Sequence, residues 1–411
     1  MTRKRVVITG MGAVTPLGMG ARTLYERWMA GQSGIEDGVG VASEFDPRDV
    51  MTNKEVRRSD RFTQLAVAAC EEALADAGWA DGIPIDPDRV GCVIGTGIGG
   101  MGSFESQHNV LIELGAGRVS PLAVPLMMPN AGAGALSLRY GLRGPAHGTV
   151  SACSAGADAI GDAVRMIRAG DADAIVAGGA ECTLTPLAKA AFSAMGATSP
   201  SGISRPFDLR RDGFVMGEGA GVLVLEELEV ARARGARILG EVRGYGASAD
   251  AHHLTAPQPE GLGAIRAMAR ALEDAGLGPD DVDYVNAHGT STPLNDRSET
   301  VAIKTLLGEE RARDVPVSST KSAVGHLLGA AGAIEAVATV LALRDRMVPP
   351  TLNYGEPDEG LDLDYVPNDP KPLRVRQNGG GPKPAVAISN SFGFGGHNAV
   401  LCLSGVEGGG E

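Results

Sequence analysis

Aromatic residues make up only 4% of the chain, and its 37 basic residues are outnumbered by 50 acidic ones, a formal charge of −13. Duplex nucleic acid demands a basic footprint, so that class of partner does not fit. No apolar run approaches the ~18 residues of a membrane-spanning helix. The opening MTRKRVVITGMGAVTPLG briefly resembles a secretory leader, but Thr9, Gly10 and Gly12 interrupt its apolar stretch and Pro16 follows. A buried first strand with a glycine turn fits better. Cysteine is scarce, five in all and with no CxxC pair, which argues against a disulfide framework and against a zinc site. Such usage suits a reducing, cytoplasmic setting.

What the chain does have is apolar bulk and glycine. Its 411 residues are 43% hydrophobic, enough for a large core and for two or three ordinary domains. The 59 glycines follow no collagen-like period and are interleaved with Ala, Val and Ile, which signals close backbone packing and tight turns. Short β-branched runs alternate with Ala-rich stretches throughout, the pattern of an α/β fold. RVVITG, RVGCVIGTG, ADAIVAGGAE, GVLVLEE, VDYVNAHGT and AVAISNS read as buried strands covered on both faces. A helix over Thr63–Ala77 stops at Gly78, and a similar one stops at Gly276.

Those two helices expose an internal echo. ALADAG (73–78) leads through a polar loop to VGCVIGTG, and ALEDAG (271–276) leads through GLGPDD to VDYVNAHGT. A second echo pairs SACSAGADAIGDAVRMI with KSAVGHLLGAAGAIEAVATVL. The two together predict a duplicated α/β unit split near residue 250, with halves 1–250 and 251–411. Residues 199–203, QNGGGPKP (377–384) and the tail VEGGGE read as peripheral loops, and 34–58 as an irregular surface course.

Four segments carry reactive side chains. In GTVSACSAGADAIG, Cys153 ends a strand-like run and small residues open a helix after it, so its thiol lies at a positive helix end that favours thiolate. Cys70, Cys92 and Cys402 sit in apolar helix or strand settings that suit inert thiols. His288 in NAHGTSTPLND ends an apolar strand, where α/β sheets point side chains into a ligand crevice. His326 follows Lys321 and precedes Glu335, a buried pair expected to fix its orientation and tautomer. One Cys with two His implies acyl transfer through a thioester, with the imidazoles donating to a carbonyl oxygen as charge develops. The loop NSFGFGGHN brings Phe392, Gly393 and Phe394 close to that chemistry; the Phe392 N–H is expected to join that of Cys153 in an oxyanion hole, with the glycines permitting a gate. GIGGMG (97–102) formally matches a dinucleotide fingerprint, but no acidic residue ends a second strand about twenty positions on.

The set TVSACSAG, NAHGTSTPLND, STKSAVGHLLGAAGAIE and NSFGFGGHN resembles the β-ketoacyl-acyl-carrier-protein synthases, and looks closest to the type II elongating condensing enzymes of fatty-acid synthesis. The match spans essentially the whole chain. It implies a thiolase-like fold, two βαβαβ-type halves in a five-layer αβαβα arrangement, usually as a homodimer. By the same resemblance Cys153 takes the acyl chain from its carrier. His288 and His326 bind the malonyl thioester and stabilise the enolate left by loss of CO₂. Lys321 and Glu335 match the supporting pair, Thr290 and Thr292 the hydroxyls on the phosphopantetheine arm, Ile98 a position lining the acyl pocket, and Phe392 the gating phenylalanine. No cofactor or metal is implied, since the substrates ride on the phosphopantetheine of acyl carrier protein. His326 argues against the three-carbon starter branch and Cys153 against a chain-length-factor subunit; aromatic-polyketide ketosynthases share the Cys-His-His set and stay open. Because such carriers are acidic, docking on a chain of charge −13 requires a local basic patch, which KEVRRSDR supplies through Lys54, Arg57, Arg58 and Arg61.

Overall fold

The computed structural model describes residues 3–375 and 383–406; most of QNGGGPKP and of the VEGGGE tail lies outside the described residues. Ten strands run side by side in one path: β1 Val6–Thr15, β2 Val90–Gly95, β3 Ala146–Thr149, β4 Ala174–Glu181, β5 Gly219–Glu227, β6 Gly240–Ala249, β7 Tyr284–Asn286, β8 Val317–Ser318, β9 Val386–Gly393 and β10 His397–Ser404. All six strands expected from apolar runs are present. Beyond those six, the path adds β3, the short β8, the glycine-studded β6, and β10, which holds Cys402 in the strand setting its sequence suggested.

Across the path the order is β8-β7-β9-β10-β6-β1-β5-β4-β2-β3. From the centre outward, each side reads first, fifth, fourth, second, third strand of its own series. The directions repeat as well. First–fifth and fifth–fourth are antiparallel, and fourth–second and second–third are parallel. The two series touch through β1 and β6, by the pairs Val7↔Glu241 and Ile8↔Gly240. Residue 250, where the sequence echo suggested a split, follows β6, whose ladder partners are β10 and β1.

Six helices bear on the site: α1 Arg61–Asp76, α2 Met101–Leu114, α3 Ala155–Ala169, α4 Leu262–Ala275, α5 Pro293–Leu307 and α6 Ala331–Asp345. Helix α1 covers β1 and β5, and α4 covers β6 and β10. Between the two strand series lie α3 and α6, packed on each other, each touching strands of both series. All of α6 from Ala331 to Leu343 is buried, as befits a helix with no polar face. None of the described helices is long and apolar enough to cross a membrane.

Glycine sets these distances. A Cβ on Gly10 or Gly12 of β1 would fall 2.1 Å from the Ala73 carbonyl oxygen or 2.0 Å from that of Ala69. On Gly244 or Gly246 of β6 it would fall 2.1 Å from the carbonyl oxygens of Ala271 and Ala267 respectively. Ala73 and Ala271 open ALADAG and ALEDAG, so the sequence echo is the trace of one helix-on-strand contact built twice. Gly10→Ala and Gly244→Ala are accordingly expected to destabilise to similar extents, by about 1–3 kcal/mol or more for overpacking a rigid contact. Urea unfolding midpoints check this, and a wild-type midpoint in either variant contradicts it.

Candidate active site

The chain leaves β3, turns through a short 3₁₀ segment at Ala152–Ser154 and enters α3. Ala152 holds a left-handed φ of +53°, a strained elbow that pushes Cys153 forward. The thiol thus sits at a helix start, as the sequence implied, but the electrostatics differ from expectation. Burial pushes the Cys153 thiol up to about 12; the Lys321 charge and the Phe394 N–H at the sulfur oppose it, while Glu181 and Glu335 reinforce it. Desolvation outweighs the helix end, so the resting group is the thiol and not the expected thiolate.

His288 follows β7, and its ring lies 5.3 Å from that of His326, centroid to centroid, nearly perpendicular. Both are buried, at 3% and 2% exposure. Burial holds both imidazoles well below the usual histidine range, helped by the Lys321 charge, so both are neutral. The backbone N–H groups of His288 and Gly289 each donate to Glu299 at 2.8 Å, and the Asn390 side chain donates to the same carboxylate at 3.0 Å. Burial pushes the Glu299 carboxyl up to about 7 against those donors.

Lys321 and Glu335 form the expected ion pair, both buried. The tautomer of His326 is set elsewhere. The Leu328 N–H donates to His326 Nδ1 at 3.2 Å, which leaves the ring proton on Nε2. The His326 backbone is tied to the neighbouring strand segment, donating to Val215 at 2.7 Å and accepting from Gly217 at 2.9 Å. Among the described residues no hydrogen bond joins the Lys321–Glu335 pair to the ring, and the Lys321 charge adds to burial in keeping both imidazoles unprotonated.

Cys153, His288, His326, Thr290, Thr292, Phe392, Gly393 and Phe394 line one cavity of about 250 Å³. The Thr290 and Thr292 hydroxyls lie 2.8 Å apart. Gly393 is pressed on the nucleophile elbow, where a Cβ would meet the Ser151 carbonyl oxygen at 2.9 Å and the Cys153 nitrogen at 3.1 Å. The amide that reaches the sulfur is that of Phe394, not Phe392. Phe392 ends in the β9–β10 ladder opposite Asn398, its ring 5.7 Å from that of His288. Among the sequence candidates, Ile98 is absent from this cavity: it is 40% exposed on the surface of the single chain. Lys54, Arg57 and Arg58 are exposed together. Arg61 is withdrawn from that patch, its guanidinium pairing with the buried Glu218 at 2.7 Å and bonding the Ala42 carbonyl.

Several site residues escaped the sequence reading. Phe214 stands edge-on to His326 at 5.2 Å and, with Met216, Leu328, Met101 and Phe192, packs around Cys153. Glu299 sits on α5 in a polar run, NDRSET, that reads as a solvated face. Glu181 closes the apolar strand ADAIVAGGAE, the same signal that picked out His288. It also explains GIGGMG: the Gly97 and Ile98 amides donate to Glu181, so the turn is filled by a carboxylate rather than open to a phosphate.

This geometry, a buried thiol facing two neutral imidazoles across a seam of two equivalent half-folds, defines an acyl-transferring condensing enzyme of the thiolase-like fold. The β-ketoacyl synthase N-terminal domain profile matches residues 3–231 and the C-terminal domain profile residues 239–355. The chain belongs to the β-ketoacyl synthase family. It is 47% identical to a 3-oxoacyl-[acyl-carrier-protein] synthase 2 of Synechocystis sp., over 98% of each chain. It is likewise 47% identical to one of Staphylococcus aureus, over 98% of this chain and 99% of that one. A β-ketoacyl synthase crystal structure from Burkholderia phymatum superposes with a TM-score of 0.89 at 37% identity, covering 98% of this chain and 100% of that one. A type II polyketide synthase acyl-carrier protein in complex with its ketosynthase bound to the hexaketide gives 0.88 at 34%, with the same coverage.

The raised thiol has a pH consequence. Below its pKa the thiolate fraction grows about tenfold per pH unit. Alkylation of Cys153 by iodoacetamide, followed by mass spectrometry, is expected to keep accelerating through pH 9. A plateau near neutral pH contradicts the assignment.

Proposed function

We propose that the protein extends acyl chains by two carbons in fatty-acid synthesis, by decarboxylative condensation on acyl carrier protein. The observation that carries this reading is the convergence of Cys153, His288 and His326 on one cavity beside the backbone amide of Phe394. The Cys153 sulfur attacks the carrier thioester carbonyl, and the phosphopantetheine thiol leaves with the proton. The Cys153 and Phe394 amides face the oxygen that becomes negative in that step; Phe394 thus replaces Phe392 in the oxyanion role. Phe392, Gly393 and Phe394 form the wall that shifts to admit the acyl group. Malonyl thioester then enters along Thr290 and Thr292. The neutral His326, with its proton on Nε2, and His288 donate to its carbonyl oxygen as CO₂ departs and the enolate forms. The enolate carbon attacks the acyl-Cys153 carbonyl, and expulsion of the sulfur as thiolate, which takes up one proton from solvent to return to the resting thiol, releases the β-ketoacyl product. Burial, with Lys321 paired to Glu335 adding its charge, keeps both imidazoles neutral, the state in which they donate without surrendering a full proton. The sequence of steps needs no resident cofactor or metal.

A homodimer fits the surface. Strand β3 ends the sheet with an open edge, and Ile112 and Leu114 of α2 are 70% and 61% exposed, with Leu138 at 88%. A second copy covering this face would enclose Ile98 and complete an acyl pocket. Carrier protein would dock at the exposed Lys54, Arg57 and Arg58, in a cytoplasmic setting. A polyketide role is the second reading, favoured by the polyketide ketosynthase neighbour; the higher identity to the 3-oxoacyl synthases weighs toward fatty-acid elongation.

Incubation with an acyl-carrier thioester is expected to leave an acyl adduct on Cys153, detected by mass spectrometry. Cys153→Gln is expected to abolish that uptake and to retain malonyl decarboxylation; uptake surviving in the variant removes Cys153 as nucleophile. Charge reversal of Arg57 and Arg58 should lower carrier-dependent turnover and leave acylation by a small soluble thioester unchanged. Equal loss of both activities refutes the docking role.

A further inference from the structure

Glu181 is fully buried at the end of β4, and no salt-bridge partner for it is found among the described residues. A carboxylate in such a place is costly unless donors surround it. They do. Oε2 accepts the amides of both Gly97 and Gly329, the latter at 3.1 Å, and Oε1 accepts the Thr96 hydroxyl at 3.2 Å. The Ile98 amide also bonds this carboxylate. The donors belong to two distinct pieces of chain: the turn after β2, in the N-terminal series, and the 3₁₀ turn Leu328–Ala330 that leads into α6.

The second turn is the one that governs His326. Leu328 carries a left-handed φ of +47°, and its N–H is the donor on His326 Nδ1. Gly329, the next residue, is pressed so closely on the first turn that a Cβ there would lie 2.2 Å from the Gly97 nitrogen. Both amides at that contact point at one oxygen. Without an acceptor between them, two N–H dipoles would face each other across a backbone contact with no room for water, and the turn would relieve the conflict by rotating.

We propose that Glu181 is a positioning residue for catalysis: by accepting the Gly97 and Gly329 amides on one oxygen, it locks the Leu328 turn and so holds His326 in the tautomer that donates from Nε2. The same carboxylate also accepts the Ile98 amide and so fixes the turn after β2. The inference rests on the roles given to Cys153 and His326 above, and it assigns Glu181 no contact with substrate.

The test is Glu181→Gln, introduced alone and in Cys153→Gln, where malonyl decarboxylation is read without acyl uptake. The amide keeps the volume but loses the charge and one of the two acceptor oxygens, so it accepts from the Gly97–Gly329 pair only as a neutral group, and Glu181→Met, which has no oxygen acceptor, is read beside it. Decarboxylation kcat is expected to fall on the order of tenfold to a hundredfold, the scale of a misplaced catalytic group, with KM nearly unchanged. In ¹⁵N NMR of the His326 ring, a population protonated on Nδ1 is expected to appear in the variant and not in the parent. A folded variant with parental kcat and ring tautomer overturns the proposal. Should Glu181→Gln fail to fold, Glu181→Asp, which keeps the charge at shorter reach, is read by the same two measurements. If the parent itself does not decarboxylate malonyl thioester, the functional reading falls, while the ring spectrum still decides the positioning role.

Discussion

Backbone-to-backbone contact between the two halves is the constraint from which the site follows. Gly97, Gly156, Gly179 and Gly329 meet at the seam: a Cβ on Gly179 or Gly156 would fall 2.6 or 2.9 Å from the Gly329 carbonyl oxygen. Larger side chains there would prise the nucleophile elbow away from the histidine turn. Helices α3 and α6 obey the same rule, since a Cβ on Gly156 would meet the Ala333 nitrogen at 2.9 Å and one on Gly332 the Ala157 nitrogen at 2.8 Å. The glycine surplus therefore does two things at once. It lets helices lie on strands at the outer layers, and it brings Cys153, from one half, to His326, from the other.

Such close packing dries the site, and dryness decides the protonation states. Cys153 stays a thiol although Lys321 stands near it, and His288 and His326 stay neutral through burial, with the Lys321 charge acting in the same direction. The charge that is allowed inside is compensated locally: Lys321 by Glu335, Glu299 by amides and Asn390, Glu181 by amides and Thr96. A resting site without free charge suits a reaction whose negative charge first appears on a thioester oxygen. Donors already aimed at that oxygen gain strength in a low-dielectric pocket, whereas a resident imidazolium would cost more to bury than it returned.

Much of this was legible in the sequence, and the failures have physical causes. Cys153, His288 and His326 stood out because each ends an apolar run in a small-residue context, and the structure brings them to one cavity. The duplication was legible because the helix-on-strand contact needs alanine and glycine at fixed places, so both copies look alike. Strand β6 was missed since glycines and charged residues break its run, although ladder pairing with β10 and burial by α4 hold it. The thiolate expectation failed because a helix end is local and visible, while desolvation is a property of the assembled core. Arg61 looked like its basic neighbours, yet its partner Glu218 lies far along the chain and nothing in KEVRRSDR announces it. Ile98 was named by resemblance alone, and no residue pattern around it signals that it lies exposed outside the cavity.

The duplication also accounts for why the halves do different chemistry. Each has the same elbow: a left-handed residue, Ala152 or Leu328, in a 3₁₀ turn that feeds a central helix. The residue that follows is Cys153 in one half and Gly329 in the other. Each elbow is faced by the end of the other half's fourth strand, Gly393 of β9 before Cys153 and Glu181 of β4 before Gly329. Where the strand ends in glycine, the space before the elbow amide stays open, next to a sulfur that can be acylated. Where it ends in glutamate, the equivalent space is filled by a built-in carboxylate, and the elbow serves as a rigid mount for the imidazole that precedes it. One half thus leaves its elbow amide open beside the sulfur, and its copy has the equivalent space occupied by the Glu181 carboxylate. From a single repeated backbone, the exchange of glycine for glutamate at one strand end separates the half that bonds the acyl group from the half that holds the histidine.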